Sequence, residues 1–248
     1  DADGDAVLWM YDGFNGVDIE TFVVTPEGLT ARRWLEDIVI HGDMTLTTEL
    51  ATSVSVVTGR VTRYDGSGVE GVKIELTSGE TQSSATVFTD SDGYYRAAVT
   101  PGGDYTFWLS WHPAASEEYP WKVVSITNGI VLEADTTIDV PLPRPNRVRV
   151  NVTDLDGNPL AGATVRTTIG STEGGYSELP GTIISLGAYS GQTRTTDSEG
   201  AAYLWLFPAS YSPYTLVEYK LPDGTLIRKE VHVEVEDGWE TTIAIPTA

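Results

Sequence analysis

The sequence predicts an all-β protein: β-sandwich modules in tandem, arranged as a rod, with the first module incomplete. Three observations carry this. A segment around Asp65 returns around Asp156, an Asp-x-Asp/Glu-Gly anchor occurs three times, and apolar and polar residues alternate with a period of two.

The segment Val61-Thr62-Arg63-Tyr64-Asp65-Gly66-Ser67-Gly68-Val69-Glu70-Gly71-Val72-Lys73-Ile74 aligns without a gap on Val152-Thr153-Asp154-Leu155-Asp156-Gly157-Asn158-Pro159-Leu160-Ala161-Gly162-Ala163-Thr164-Val165, so Asp65 falls on Asp156, 91 positions later. The anchors are Asp1-Ala2-Asp3-Gly4, Asp90-Ser91-Asp92-Gly93 and Asp197-Ser198-Glu199-Gly200. From anchor to the next Asp-Gly turn is 64 positions between Asp1 and Asp65, and 66 between Asp90 and Asp156. Chance does not produce that agreement.

An apolar strand follows each anchor, at 6–10, 94–99 and 201–207, and each copy closes on a pair of strands. Those pairs are 37–40 with 44–50, 122–127 with 136–142, and 230–235 with 240–245. Alternation such as Val148-Arg149-Val150-Asn151-Val152 fits a sheet with one buried face. Asp-Gly pairs between such runs supply the positive-φ residue that tight hairpins require. The predicted modules are 1–52, the back half of a first sandwich; 53–143, a second; and 144–248, a third with an inserted loop near 170–191. Asp156 to Asp197 spans 41 positions against 25 from Asp65 to Asp90, which locates the insertion. Pro141-Leu142-Pro143-Arg144-Pro145-Asn146 reads as a semi-rigid linker.

In residues 54–143, the run Val57-Thr58-Gly59-Arg60-Val61, an Asp-Gly turn, Gly71-Val72-Lys73-Ile74-Glu75-Leu76, Thr89-Asp90-Ser91-Asp92-Gly93-Tyr94-Tyr95 and Pro101-Gly102-Gly103-Asp104-Tyr105 together resemble the carboxypeptidase regulatory-like domain. The resemblance implies a seven-stranded, transthyretin-like Greek-key sandwich with Ig-like layering, related to the Cna B-type repeats of surface adhesins. It extends to 146–248 and, through its later half only, to 1–50. It speaks for fold and says little about activity.

Composition narrows the function. A net charge of −21 disfavours nucleic acid and anionic membrane surfaces as partners. No apolar run approaches the ~18 residues that span a bilayer, so no direct membrane insertion is expected. With no cysteine, a disulfide framework and a thiol nucleophile are both excluded. No nucleophile elbow, P-loop or dinucleotide fingerprint is present, and no enzymatic activity is expected.

The anchors have two readings. Asp1, Asp3 and Asp5 are the best calcium candidates, since a third acid follows there; calcium is the one cofactor considered, and it needs six to eight oxygens. Aspartates bonding nearby backbone amides in a turn explain the anchors with fewer requirements. His41, His112 and His232 are too scattered for a zinc site. Some Cna B-type domains carry a Lys–Asn isopeptide cross-link; of Lys73, Lys122, Lys220 and Lys229, Lys73 alone is in an early strand, and it sits where the resemblance implies strand alternation rather than a cross-linking lysine.

Trp9 and Trp205 occupy similar places after their anchors, which predicts a shared core role. Trp108, Trp111, Tyr119 and Trp121 form a cluster peculiar to the second module, open to two readings: an aromatic platform for carbohydrate, or packing at an interface. Asn151-Val152-Thr153 is a glycosylation sequon.

These features predict a non-catalytic extracellular or cell-surface protein: a modular stalk, surface-layer or filament component, with strand exchange between subunits open to it. Its partners would be other copies of itself or other surface proteins, with polysaccharide as a further candidate. The alternative is a set of carbohydrate-binding accessory modules of a larger secreted enzyme. The half sandwich at 1–52 is expected to be completed either by residues outside this chain or by a neighbour's strand.

Overall fold

Inward and outward residues alternate along stretches such as 55–62, 104–111 and 146–153, and that alternation builds two complete sandwiches. The computed structural model describes residues 7–9, 16–24, 30–46, 54–114, 118–120, 122–168, 176–178, 185–187, 192–207, 214–232, 236 and 238–247. No helix occurs among them. An N-terminal hairpin comprises β1 (Val17–Val24) and β2 (Thr30–Ile38). The first complete sandwich contains β3 (Ser55–Thr62), β4 (Lys73–Ser78), β5 (Ser83–Phe88), β6 (Tyr94–Val99), β7 (Asp104–Trp111), β8 (Val123–Val131), β9 (Thr136–Thr137) and β10 (Val140–Pro141). The second contains β11 (Asn146–Thr153), β12 (Thr164–Thr168), β13 (Tyr176–Glu178), β14 (Ser185–Gly187), β15 (Gln192–Thr195), β16 (Ala201–Leu206), β17 (Tyr214–Lys220), β18 (Leu226–His232) and β19 (Glu240–Ala244).

The two sandwiches share one topology. In the first, β5-β4-β7-β8 faces β6-β3, and β3 takes β9 and β10 in parallel. In the second, β15-β12-β17-β18 faces β16-β11-β19, with β19 parallel to β11. The repeat read from the sequence is therefore a repeat of strand order. Val57, Val61, Ile74, Leu76, Phe107 and Leu109 anchor one core; Val148, Val150, Val152, Leu204, Leu206 and Ile243 anchor the other.

The two anchors among the described residues are turns held by their own aspartates. Asp90 Oδ1 accepts the backbone N–H of Asp92 and of Tyr94; Asp197 Oδ1 accepts those of Glu199 and Ala201. Glycine closes each turn with φ of +85° at Gly93 and +72° at Gly200. A Cβ there would meet the carbonyl oxygen of Val61 at 2.3 Å or of Val152 at 2.5 Å, so glycine is required twice over.

The Asp-Gly turns use the same device. Asp154 accepts the side-chain amide of Asn158 at 2.8 Å and the N–H groups of Asp156 and Asn158. Those bonds, the Asn158 amide first, hold its carboxyl below the ordinary 3.8; Ser67 does the same for Asp65 and Thr225 for Asp223. A folded-state value below the unfolded one stabilises the fold above the ordinary carboxylate range. That contribution fades as pH falls through the lowered values. Stability measured by tryptophan fluorescence is expected to decline below about pH 4, with a shallower slope in Asp154→Asn; an unchanged slope would contradict the assignment.

The first fifty residues differ in detail from the strands expected of them. The hairpin β1–β2 extends the first complete sandwich at its β5 edge, where Arg32 and Arg33 pair with Ser84 and Ser83. The resulting sheet has six strands, β1-β2-β5-β4-β7-β8. Val7, Leu8 and Trp9 lie outside any strand. Trp9 is 94% exposed, so the expected core role does not hold for it. Trp205 is not a core residue either: one position out of step with buried Leu204 and Leu206, it lies half-buried on the outer face of β16.

Candidate functional site

Among the described residues, the most elaborate construction is the joint between the two sandwiches. Along β7, Tyr105, Phe107, Leu109 and Trp111 point inward, and Trp111 ends the strand at the sandwich's edge. The segment that follows carries Tyr119, which packs edge-on against Trp111 with ring centroids 5.3 Å apart. Phe207, directly after β16, packs edge-on against the same Tyr119 ring at 6.0 Å. A residue of the second sandwich thereby joins the hydrophobic core of the first.

Gln192, at the start of β15, supplies the polar half. It is fully buried, and each end of its amide is used. Nε2 donates to the carbonyl of Tyr119 at 2.7 Å, and Oε1 accepts the N–H of Trp205 at 2.7 Å. Its backbone N–H donates to Thr167 Oγ1 at 3.2 Å. A buried amide with both ends satisfied fixes geometry, because any displacement strands a donor or an acceptor. Tyr119 is fixed as well: its hydroxyl accepts the N–H of Tyr64, and burial pushes its phenol up to about 12. It stays neutral across the physiological range.

The linker is pinned rather than loose. Leu142 is buried in the first core and donates its N–H to Thr62 at 2.8 Å, four residues before β11 begins. Arg144 lies over the Tyr64 ring at 5.9 Å, and Arg63 over Trp111 at 5.5 Å. Beside this, β14 from the insertion of the second sandwich packs against β8 of the first. Of the insertion expected near 170–191, the part that forms β14 thus lies against the first sandwich.

Other residues singled out in the sequence are dispersed. Trp108 is 39% exposed on the outer face of β7, opposite in direction to Trp111; Trp121 lies outside the described residues. The structure brings Trp111 and Tyr119 together and leaves Trp108 apart. Asp1, Asp3 and Asp5 lie outside the described residues. Among the described residues, no cluster of three His, Cys, Asp or Glu could hold a metal. His41 and His112 are exposed, and the His232 side chain lies outside the description. Lys73 Nζ pairs with Glu75 at 2.8 Å. Asn151, on the outer face of β11, donates to Glu240 of β19.

Gln192 and Phe207 escaped the sequence reading. For Phe207 a signal existed: Tyr203-Leu204-Trp205-Leu206-Phe207 is apolar throughout, and a run that abandons alternation marks a strand touched on both sides. For Gln192 there was none, since nothing local marks a glutamine for burial.

Residues 56–138, the first complete sandwich, match the carboxypeptidase regulatory-like domain, as the motifs implied. No curated protein matches the chain. Among solved structures, the Streptococcal ancillary pilin is 15% identical, with 92% of this chain and 75% of that one covered at a TM-score of 0.38. The shaft pilin SpaA of Lactobacillus rhamnosus GG is 12% identical, covering 79% and 98% at 0.38. A Bacteroides ovatus protein described as a candidate adhesin is 10% identical, covering 82% and 95% at 0.41. Likenesses at this level carry no argument about activity or partners.

Proposed function

We infer that the chain is a non-catalytic structural segment of an extracellular or cell-surface protein: a stalk, surface-layer or filament component. Its sandwiches set a fixed spacing and present their outer faces. The joint carries this reading. Sandwiches linked only by flexible chain would hold no defined distance, whereas Phe207 and Gln192 make one sandwich part of the other's interior. The charge of −21 suits a soluble outer surface that repels non-specific contacts.

Partners in this reading are other copies or other surface proteins. Strand exchange is served by β1, the outer strand of the six-stranded sheet, where Phe22 and Val24 are 62% and 55% exposed. An edge of that kind accepts an added strand. Antibody raised against this chain is expected to label intact cells of its source as strongly as permeabilised ones. Labelling confined to permeabilised cells would remove the surface assignment.

A further inference from the structure

The two sandwiches carry the same three-stranded sheet, β6-β3-β9 in the first and β16-β11-β19 in the second, and its outer faces can be compared position by position. Arg96, Thr58 and Thr137 lie side by side across the first. Tyr203, Arg149 and Glu240 occupy the same positions in the second. There the row is filled: the Arg149 guanidinium lies 5.8 Å from the Tyr203 ring centre and pairs with Glu240 at 3.4 Å. Two short threonines replace that arginine and glutamate in the first sandwich. The result is a groove of about 560 Å³, within the size range of small-ligand sites.

The groove's walls are specific. Tyr94 and Phe88, both in the lining, are 54% and 62% exposed. Arg60 stands over Tyr94 at 5.1 Å and donates through Nε to the Asp92 carbonyl, so the ring is held in place. Asp139 is held as well, because its Oδ1 accepts the Arg60 N–H at 2.9 Å. Asp139 also lines the groove. Arg96 supplies donors, and the Thr58 and Thr137 hydroxyls, 3.2 Å apart, can each donate or accept.

We propose that this groove binds a neutral pyranose unit of a polysaccharide. A sugar ring offers an apolar face to an aromatic side chain and hydroxyls at its rim that pair with carboxylate, guanidinium and hydroxyl groups together. The charges decide against other occupants. Asp90 and Asp139 in the lining, and the chain's net −21, repel an acidic ligand. Arg96 among those carboxylates leaves the lining with both signs of charge, which suits the hydroxyls of a neutral ligand. The proposal stands whether or not the spacer reading holds. Trp108 is not among the residues that line this groove.

The test is an amide-resolved NMR titration of the whole chain with cellohexaose, maltohexaose, mannohexaose and chitohexaose. At least one is expected to shift Thr58, Tyr94, Arg96 and Thr137. Tyr94→Ala and Phe88→Ala should each weaken that binding about tenfold or more with the thermal midpoint unchanged, and Trp108→Ala should leave it intact. Thr58→Arg with Thr137→Glu, which copies the filled row of the second sandwich, should abolish it while the fold remains. The proposal is overturned if no oligosaccharide shifts these residues. It is equally overturned if the shifts gather around Trp108, if Tyr94→Ala binds as well as the parent, or if polygalacturonate or polylysine occupies the groove instead.

Discussion

Phe207→Ala is expected to destabilise the sandwich to which Phe207 does not belong. The side chain is nine-tenths buried against Tyr119 within the first core, and truncating a phenylalanine in such a setting costs about 3–5 kcal/mol. Hydrogen exchange should locate the loss. Amides of β7 and β8, for example Leu109 and Val124, should lose protection although they are about a hundred residues away in sequence. Gln192→Ala should act on the same region by another route, leaving the Tyr119 carbonyl and the Trp205 N–H without partners at about 1–3 kcal/mol each. The two changes share Tyr119, so their effects should combine to less than their sum. Loss of protection confined to β11, β16 and β19 would show that the sandwiches are energetically separate.

A second large effect is expected at Gly59. A Cβ there would lie 1.9 Å from the carbonyl oxygen of Ile138 and 2.7 Å from the Tyr95 hydroxyl, which itself donates to that carbonyl at 2.7 Å. Gly59→Val should therefore cost more than about 4 kcal/mol and unfold the first sandwich. The second sandwich shows how the side-chain part of that clash, with Tyr95, is avoided. Gly59 pairs with Tyr95 across β3 and β6; at the equivalent places in β11 and β16, Val150 pairs with Ala202. Large opposite small serves as well as small opposite large. Adding Tyr95→Ala to Gly59→Val should recover part of the lost stability in a denaturant titration. A double variant no more stable than Gly59→Val alone would refute the compensation.

Much of the fold was legible because its devices are local. The anchor turns repeat since one aspartate and one glycine suffice to make each, and the side chain–backbone bonds span at most four residues. Strand alternation was legible for the same reason. The failures concern what lies across a sheet or between sheets. Trp9 and Trp205 were matched by distance from an anchor, yet a shift of one residue decides which face a strand residue takes, and Leu204 and Leu206 claim the inner one. The attachment of β2 to β5 depends on a sheet edge more than forty residues away. Of the joint, the cluster of Trp111 with Tyr119 was visible as sequence proximity, whereas Gln192 is defined by a carbonyl 73 residues before it and an N–H 13 residues after it.

The central claim is that the two sandwiches are held at one fixed relation by Phe207 and Gln192. The chain has no cysteine, so spin labels at Thr86→Cys on β5 and Glu230→Cys on β18 would be the only ones present. Electron–electron distance measurement in frozen solution is expected to give a single narrow distribution, broadened when Phe207→Ala and Gln192→Ala are introduced together. A broad distribution in the otherwise unmodified chain, unchanged by those substitutions, would contradict the claim.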